Sequence, residues 1–175
     1  MKHTIVALVE DKPGVLNRMA SLFRRRGFNI ESIAVGHSEV PHISRMTIVV
    51  DGATTRVEQV RKQLDKIIDV VRIFEISSND MVSRELALIK VKATSVTRSE
   101  IMQIVDIFRA NIVDVGADSV TVEVTGDEDK INSLFNLLRG FGIKELARTG
   151  RIAMVRGGPA QVTVEKESAR TSRKS

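Results

Sequence analysis

The chain has 175 residues, 42% hydrophobic and 28% charged, with a formal net charge of +5. That length makes one ordinary domain or two small ones. With no Cys, disulfides, thiolate nucleophiles and Cys-ligated metals are excluded, and apolar runs of about five residues are too short for a membrane-spanning helix. The missing Cys fits a reducing cytosol, so the expected location is cytoplasmic. Met1-Lys2-His3 leads straight into a strand pattern, without the apolar core of a signal peptide. The basic charge is no strong pointer to nucleic acid. Residues 157–175 hold four basic and two acidic side chains, which leaves the body only mildly basic. Six Phe and no Trp or Tyr provide little for stacking bases.

Residues 3–10 are almost continuously apolar, as expected of a strand central in its sheet. The run stops at Glu10-Asp11, and a helical pattern over 12–26 follows, with a stripe of Val15, Met19, Leu22 and Phe23. Val9-Glu10-Asp11-Lys12-Pro13-Gly14-Val15-Leu16 thus reads as strand, tight turn and helix start. Asp11 suits the N-cap and Pro13 the first turn. Gly14 has no Cβ, so another group can approach the backbone. The N–H groups of Gly14, Val15 and Leu16 lack intrahelical partners. With the positive helix end they form either a site for a small anion or simply a capped helix. Arg24-Arg25-Arg26 reads as a solvated helix end before Gly27 as the C′ residue.

Residues 28–35 form a second strand, whose alternation slips between Ile30 and Ile33, the mark of a bulge. A loop over 36–42 leads to a third strand, Ile43–Asp51. A helix over 54–68 carries Val57, Val60, Leu64 and Ile67 inward, and a strand follows over 70–77. The order is βαββαβ, the ferredoxin-like arrangement, and right-handed crossovers put both helices on one sheet face. A short polar stretch over 77–82 serves as a boundary. The order then recurs: strand 84–93, helix 97–109, strands 111–116 and 119–125, helix 127–140, and strand 143–149. Thr97-Arg98-Ser99-Glu100 has the capping-box pattern, and residues 152–155 are placed to extend the sheet. The expected class is α+β, two ferredoxin-like βαββαβ domains. The boundaries are 1–78 and 79–156, with 157–175 a disordered tail in which Val162 and Val164 suit at most a frayed strand. Only the first half has the Asp-Lys-Pro-Gly turn.

No catalytic residues are expected. Walker, G-x-G-x-x-G and G-x-S-x-G patterns are missing, and carboxylates do not pair. His3, His37 and His42 lack metal-ligand spacing, so no metal site is expected. Asn29 opens the strand after the first helix, at the opposite sheet end from Gly14. It is either a turn residue bonding its own backbone or a ligand group that reaches the Gly14 of a second copy. The latter requires two domains paired edge to edge through antiparallel second strands, a homodimer.

Three stretches carry a resemblance: Val9-Glu10-Asp11-Lys12-Pro13-Gly14-Val15-Leu16, Gly27-Phe28-Asn29-Ile30-Glu31-Ser32, and Ser44-Arg45-Met46-Thr47. Together they resemble the regulatory small subunits of acetolactate synthase (acetohydroxyacid synthase), whose first domain is an ACT domain, an amino-acid-sensing βαββαβ module. The resemblance covers residues 1 to about 156. It implies a chain without catalysis of its own that binds no cofactor. It implies a large catalytic subunit as partner, an enzyme using thiamine diphosphate, Mg and FAD. That partner is activated by the chain and made inhibitable by valine or another branched-chain amino acid. Effector-binding residues would be Gly14, Val15 and Leu16 through their N–H groups, Asp11 and Asn29 at the ammonium and carboxylate ends, and Ile30 along the side chain. Asp11 stands where many members have Asn. The alternatives are another two-ACT regulator, of the glycine-cleavage repressor type, and an RNA-binding ferredoxin-like domain. The latter lacks stacking aromatics on its first and third strands.

Overall fold

The computed structural model describes residues 2–76 and 80–157. The tail from residue 158, with the strand considered at Val162 and Val164, and residues 77–79 of the expected boundary lie outside them.

The first unit runs β1 (Lys2–Glu10), α1 (Val15–Arg25), β2 (Ile30–His37), β3 (Ile43–Asp51), α2 (Thr54–Leu64) and β4 (Val70–Ile76). Its sheet is antiparallel in the order β2-β3-β1-β4, so the apolar β1 is central and β2 lies at an edge. Odd-numbered residues of β1 (Ile5, Ala7, Val9) meet Val15, Met19 and Phe23 of α1 and Val57, Val60 and Leu64 of α2 in one core. Both helices therefore lie on one face. The slip expected between Ile30 and Ile33 is a register shift between Ile30 and Ser32, which leaves Glu31 as the extra residue of a bulge. Gly27 is the C′ residue at φ +69°, with its N–H on Arg24 O and that of Phe28 on Phe23 O.

The second unit runs β5 (Met81–Lys92), α3 (Arg98–Ile107), β6 (Asn111–Val115), β7 (Ser119–Gly126), α4 (Glu128–Leu138), β8 (Ile143–Arg148) and β9 (Ile152–Val155). The antiparallel sheet order is β6-β7-β5-β8. Ile89, Val91, Ile101, Val105, Val122, Ile131, Leu134 and Leu138 fill its core. The chain is thus α+β with two ferredoxin-like units.

Three local expectations are corrected. Asp11 does not cap α1. Gly14 takes the N-cap position at φ +86°, and the helix begins at Val15 rather than near Lys12. Thr97 does not close a capping box; its hydroxyl turns back to accept from the Thr94 N–H at 2.9 Å. The first strand of the second unit starts at Met81 rather than Arg84. Its opening residues, Met81 to Arg84, pair with β9, so residues 152–155 prolong that strand's ladder. This ribbon covers the other face of the first sheet, where Val6 and Ile76 pack with Ala153, beside Phe74, Met81 and Val155. That is why β1 is buried on both faces.

Candidate functional site

The Gly14 turn lies at the C-terminal end of β1. The Asp11 N–H donates to His42 O at 2.9 Å, and Glu10 N–H to Asp69 O at 2.8 Å, which ties the turn to the β2–β3 loop and to the turn before β4. The first i→i−4 bond of α1 is Arg18 N–H to Gly14 O at 3.0 Å. No side chain caps this helix. The Val15 N–H makes a long 3.5 Å contact with Lys12 O, and the first-turn donors have the positive helix end behind them. A Cβ at Gly14 would meet no heavy atom within 4 Å, so the approach is open. Leu16 beside it is 47% exposed and Val15 is buried. Val15 thus serves the core through its side chain and can serve a ligand only through its N–H.

Charges ring the turn. Glu10 accepts from Lys12 and raises the pKa of that ammonium. Asp11 Oδ2 lies 3.5 Å from His37 Nδ1. Arg18 pairs with the buried Asp69. Sequence reasoning missed Arg18 and Asp69. One turn of helix separates Arg18 from Gly14, but no local signal links it to a carboxylate 51 positions away.

Asn29 is exposed and immediately precedes β2; Ile30 opens that strand and packs partly on the first core. The register separates them from Gly14. Ile30 pairs with Val50, which pairs with His3, whereas Glu10 pairs with Ile43 beside Ser44 and His37. The two ends are seven residues of β1 apart, about 23 Å at ~3.3 Å per residue. The structure thus brings Asp11, Gly14, Val15 and Leu16 together at one end and Asn29 with Ile30 at the other. Within one chain the two groups do not meet.

A cleft of about 380 Å³ opens elsewhere, where the two units meet. Lys2, Glu31, Ser32 and Val49 line it from the first unit, Glu85, Glu128 and residues 148–151 from the second. Sequence reasoning missed this region too. Among the described residues no three His, Asp or Glu side chains gather as metal ligands, and no helix is long and apolar enough to cross a membrane.

Comparison with known proteins gives matches along both units. Residues 5–72 match the family described as the AHAS small subunit-like ACT domain. Residues 84–157 match the family described as the small subunit of acetolactate synthase. A probable acetolactate synthase small subunit from Archaeoglobus fulgidus is 59% identical over 157 residues, 90% of this chain and 98% of the relative. The acetolactate synthase small subunit of Mycobacterium bovis is 53% identical over 155 residues, 89% of this chain and 92% of that one. The crystal structure of the acetolactate synthase small subunit from Thermotoga maritima superposes with a TM-score of 0.84 at 43% identity, across 91% of this chain and 99% of that one.

Proposed function

This chain belongs to the acetolactate synthase small-subunit family, and on that premise we propose that it is the regulatory subunit of that enzyme. It leaves the chemistry to a large catalytic subunit that carries thiamine diphosphate, Mg and FAD. It activates that subunit and confers feedback inhibition by valine or another branched-chain amino acid, in the cytoplasm, with no nucleic-acid or membrane partner. Residues 1–78 form the effector domain, residues 79–156 the second domain, and the tail follows.

One observation carries the effector reading: the two groups of site residues sit at opposite ends of the same edge strand. Antiparallel pairing of β2 with its copy, centred between Ile33 and Ala34, sets Ile30 opposite the partner's His37. That end of the partner's β2 lies beside its own Gly14 turn. Each dimer then holds two complete sites. In each, Gly14, Val15 and Leu16 offer N–H groups to the effector carboxylate, Asp11 faces the ammonium, and Asn29 and Ile30 come from the other copy. The partly exposed Val35 supports the same pairing, since its apolar side chain stands near that edge, 49% exposed in the single chain.

The test has two parts. Calorimetric titration of the full chain with valine, leucine and isoleucine is expected to show saturable binding of at least one. Sedimentation at micromolar concentration is expected to show a dimer. A monomer with and without the amino acids would defeat the shared site.

A further inference from the structure

Strand β2 opens at the Asn29–Ile30 half of the proposed site, and the second unit grips it at two points. The first grip is on the backbone. Gly150 lies against the Ile33–Ala34 peptide so closely that a Cβ there would stand 2.4 Å from Ile33 O and 3.0 Å from Ala34 N. The next residue, Arg151, donates its N–H to Ser32 Oγ at 3.1 Å. Only a glycine permits this approach, because the obstacle is main chain and cannot swing aside.

The second grip is ionic. Arg151, 11% exposed, donates through Nη2 to Glu128 Oε2 at 2.7 Å, and its Nε lies 3.5 Å from Glu85 Oε1. Glu128 also accepts from Lys2 Nζ at 2.6 Å, and Lys2 reaches Glu31 Oε2 at 3.0 Å. Glu31 is the bulged residue, one position past Ile30. An unbroken chain of alternating charge therefore runs from the start of β2 into the second unit. Arg151 and Glu85 are the buried end of this row and Lys2 its exposed link, with a side chain 43% exposed, so the main-chain contact at Gly150 is the stiffer of the two grips.

An effector changes the second unit only by favouring one arrangement of contacts over another. The residues 149–151 hold contacts to β2 and to the charged row. They join β8 to β9, and β9 pairs with the opening of β5. We propose that the 149–151 turn is the element through which effector occupancy at the start of β2 is read by the second unit, with Arg151 as its positioning residue. The inference rests on the effector site proposed above.

Two variants of the full chain, Arg151→Gln and Ser32→Ala, are reconstituted with the catalytic subunit. Both are expected to bind valine as the wild type does and to activate normally. The valine concentration for half-inhibition is expected to rise by about fivefold or more, or the inhibition to become incomplete. In the wild type, amide exchange at 149–151 is expected to change when valine is added, a readout that needs no variant to fold. Unaltered inhibition in both variants overturns the inference, as does unaltered exchange. Loss of binding or of activation in the variants also overturns it, because the turn would then belong to the binding site or the subunit contact. If the wild type binds no branched-chain amino acid, the effector site itself fails and this inference falls with it.

Discussion

The two units share strand order and helix placement, and the turn that follows the first strand is built differently in each. In the second unit the turn is closed by its own side chains. The Thr94 N–H donates to Thr97 Oγ1 at 2.9 Å, and the Thr97 N–H to Thr94 Oγ1 at 3.2 Å. In the first unit Gly14 brings no side chain, and the helix start lacks a side-chain cap. The edge strands differ in the same sense. β2 has eight residues and β6 only five, with its own register shift after Ile112. Neither helix start has a side-chain cap; what differs is the turn before it, closed by two threonine hydroxyls in one unit and left bare by a glycine in the other. The proposed effector site rests on that local difference, not on the fold.

Gly14→Asp is the harshest way to break the comparison. A carboxylate would occupy the open approach and face the effector's own. At ~4 Å the repulsion is about 1 kcal/mol in water and ~4 kcal/mol at an effective dielectric near 20. With lost N–H contacts, affinity is expected to fall by about two decades or more. The positive φ adds roughly 1–3 kcal/mol of backbone strain, at the low end for Asp, and no neighbour obstructs the new Cβ. Acetolactate formation with and without valine is expected to show activation kept and inhibition lost.

Asn29→Ala works at the other end of β2. Loss of one hydrogen bond to a charged group costs ~1.5–3 kcal/mol, which is roughly a tenfold to hundredfold loss of affinity. A valine titration checks it, and an unchanged isotherm would return Asn29 to the role of a turn residue.

Thr97→Ala reverses the logic by opening the turn of the second unit. It removes the bond that Thr97 Oγ1 accepts from the Thr94 N–H and is expected to lower stability by about 0.5–1.5 kcal/mol, the range of one ordinary hydrogen bond, and to leave valine affinity as it was. Denaturant unfolding paired with calorimetry separates the two.

The smallest effect concerns the place where the units join. The hydrogen bond from Lys2 comes first among the influences that hold the Glu128 carboxyl below the ordinary glutamate range. A depressed carboxyl pKa adds stability that is present above the unfolded value and lost as pH falls through the folded one. The denaturation midpoint is therefore expected to drop below about pH 4.3, and Glu128→Gln to flatten that drop.

Periodicity made most of the elements legible. The run from Ile5 to Val9 marked a central strand, the slip at Ile30–Ile33 marked the bulge, and the stripe of α1 faced the core. Cap chemistry was less legible, because both failures turned on backbone alternatives of equal sequence quality. Gly14 displaced Asp11 by adopting a left-handed conformation, and Thr97 had a hydroxyl partner three residues back as well as a backbone donor ahead. The separation of Asn29 from Gly14 followed from βαβ geometry, whereas their assignment to one site came from the family resemblance. What the sequence hid depends on distant pairs. Gly150 is one glycine among 11, and only the fold shows a backbone pressed against it. Arg151 and Glu128 are ordinary surface residue types until β9 folds under the first sheet.

That last strand also sets an order of events during synthesis. The face of the first sheet that presents Val6, Phe74 and Ile76 is covered by Ala153 and Val155. Ala153 follows Phe74 by 79 residues. A ribosome moving at about 5–20 residues per second leaves that face wet for several seconds. A nascent chain that stops at Arg148 holds both helical cores and all eight earlier strands, and still shows an apolar sheet face to every neighbour in the cell.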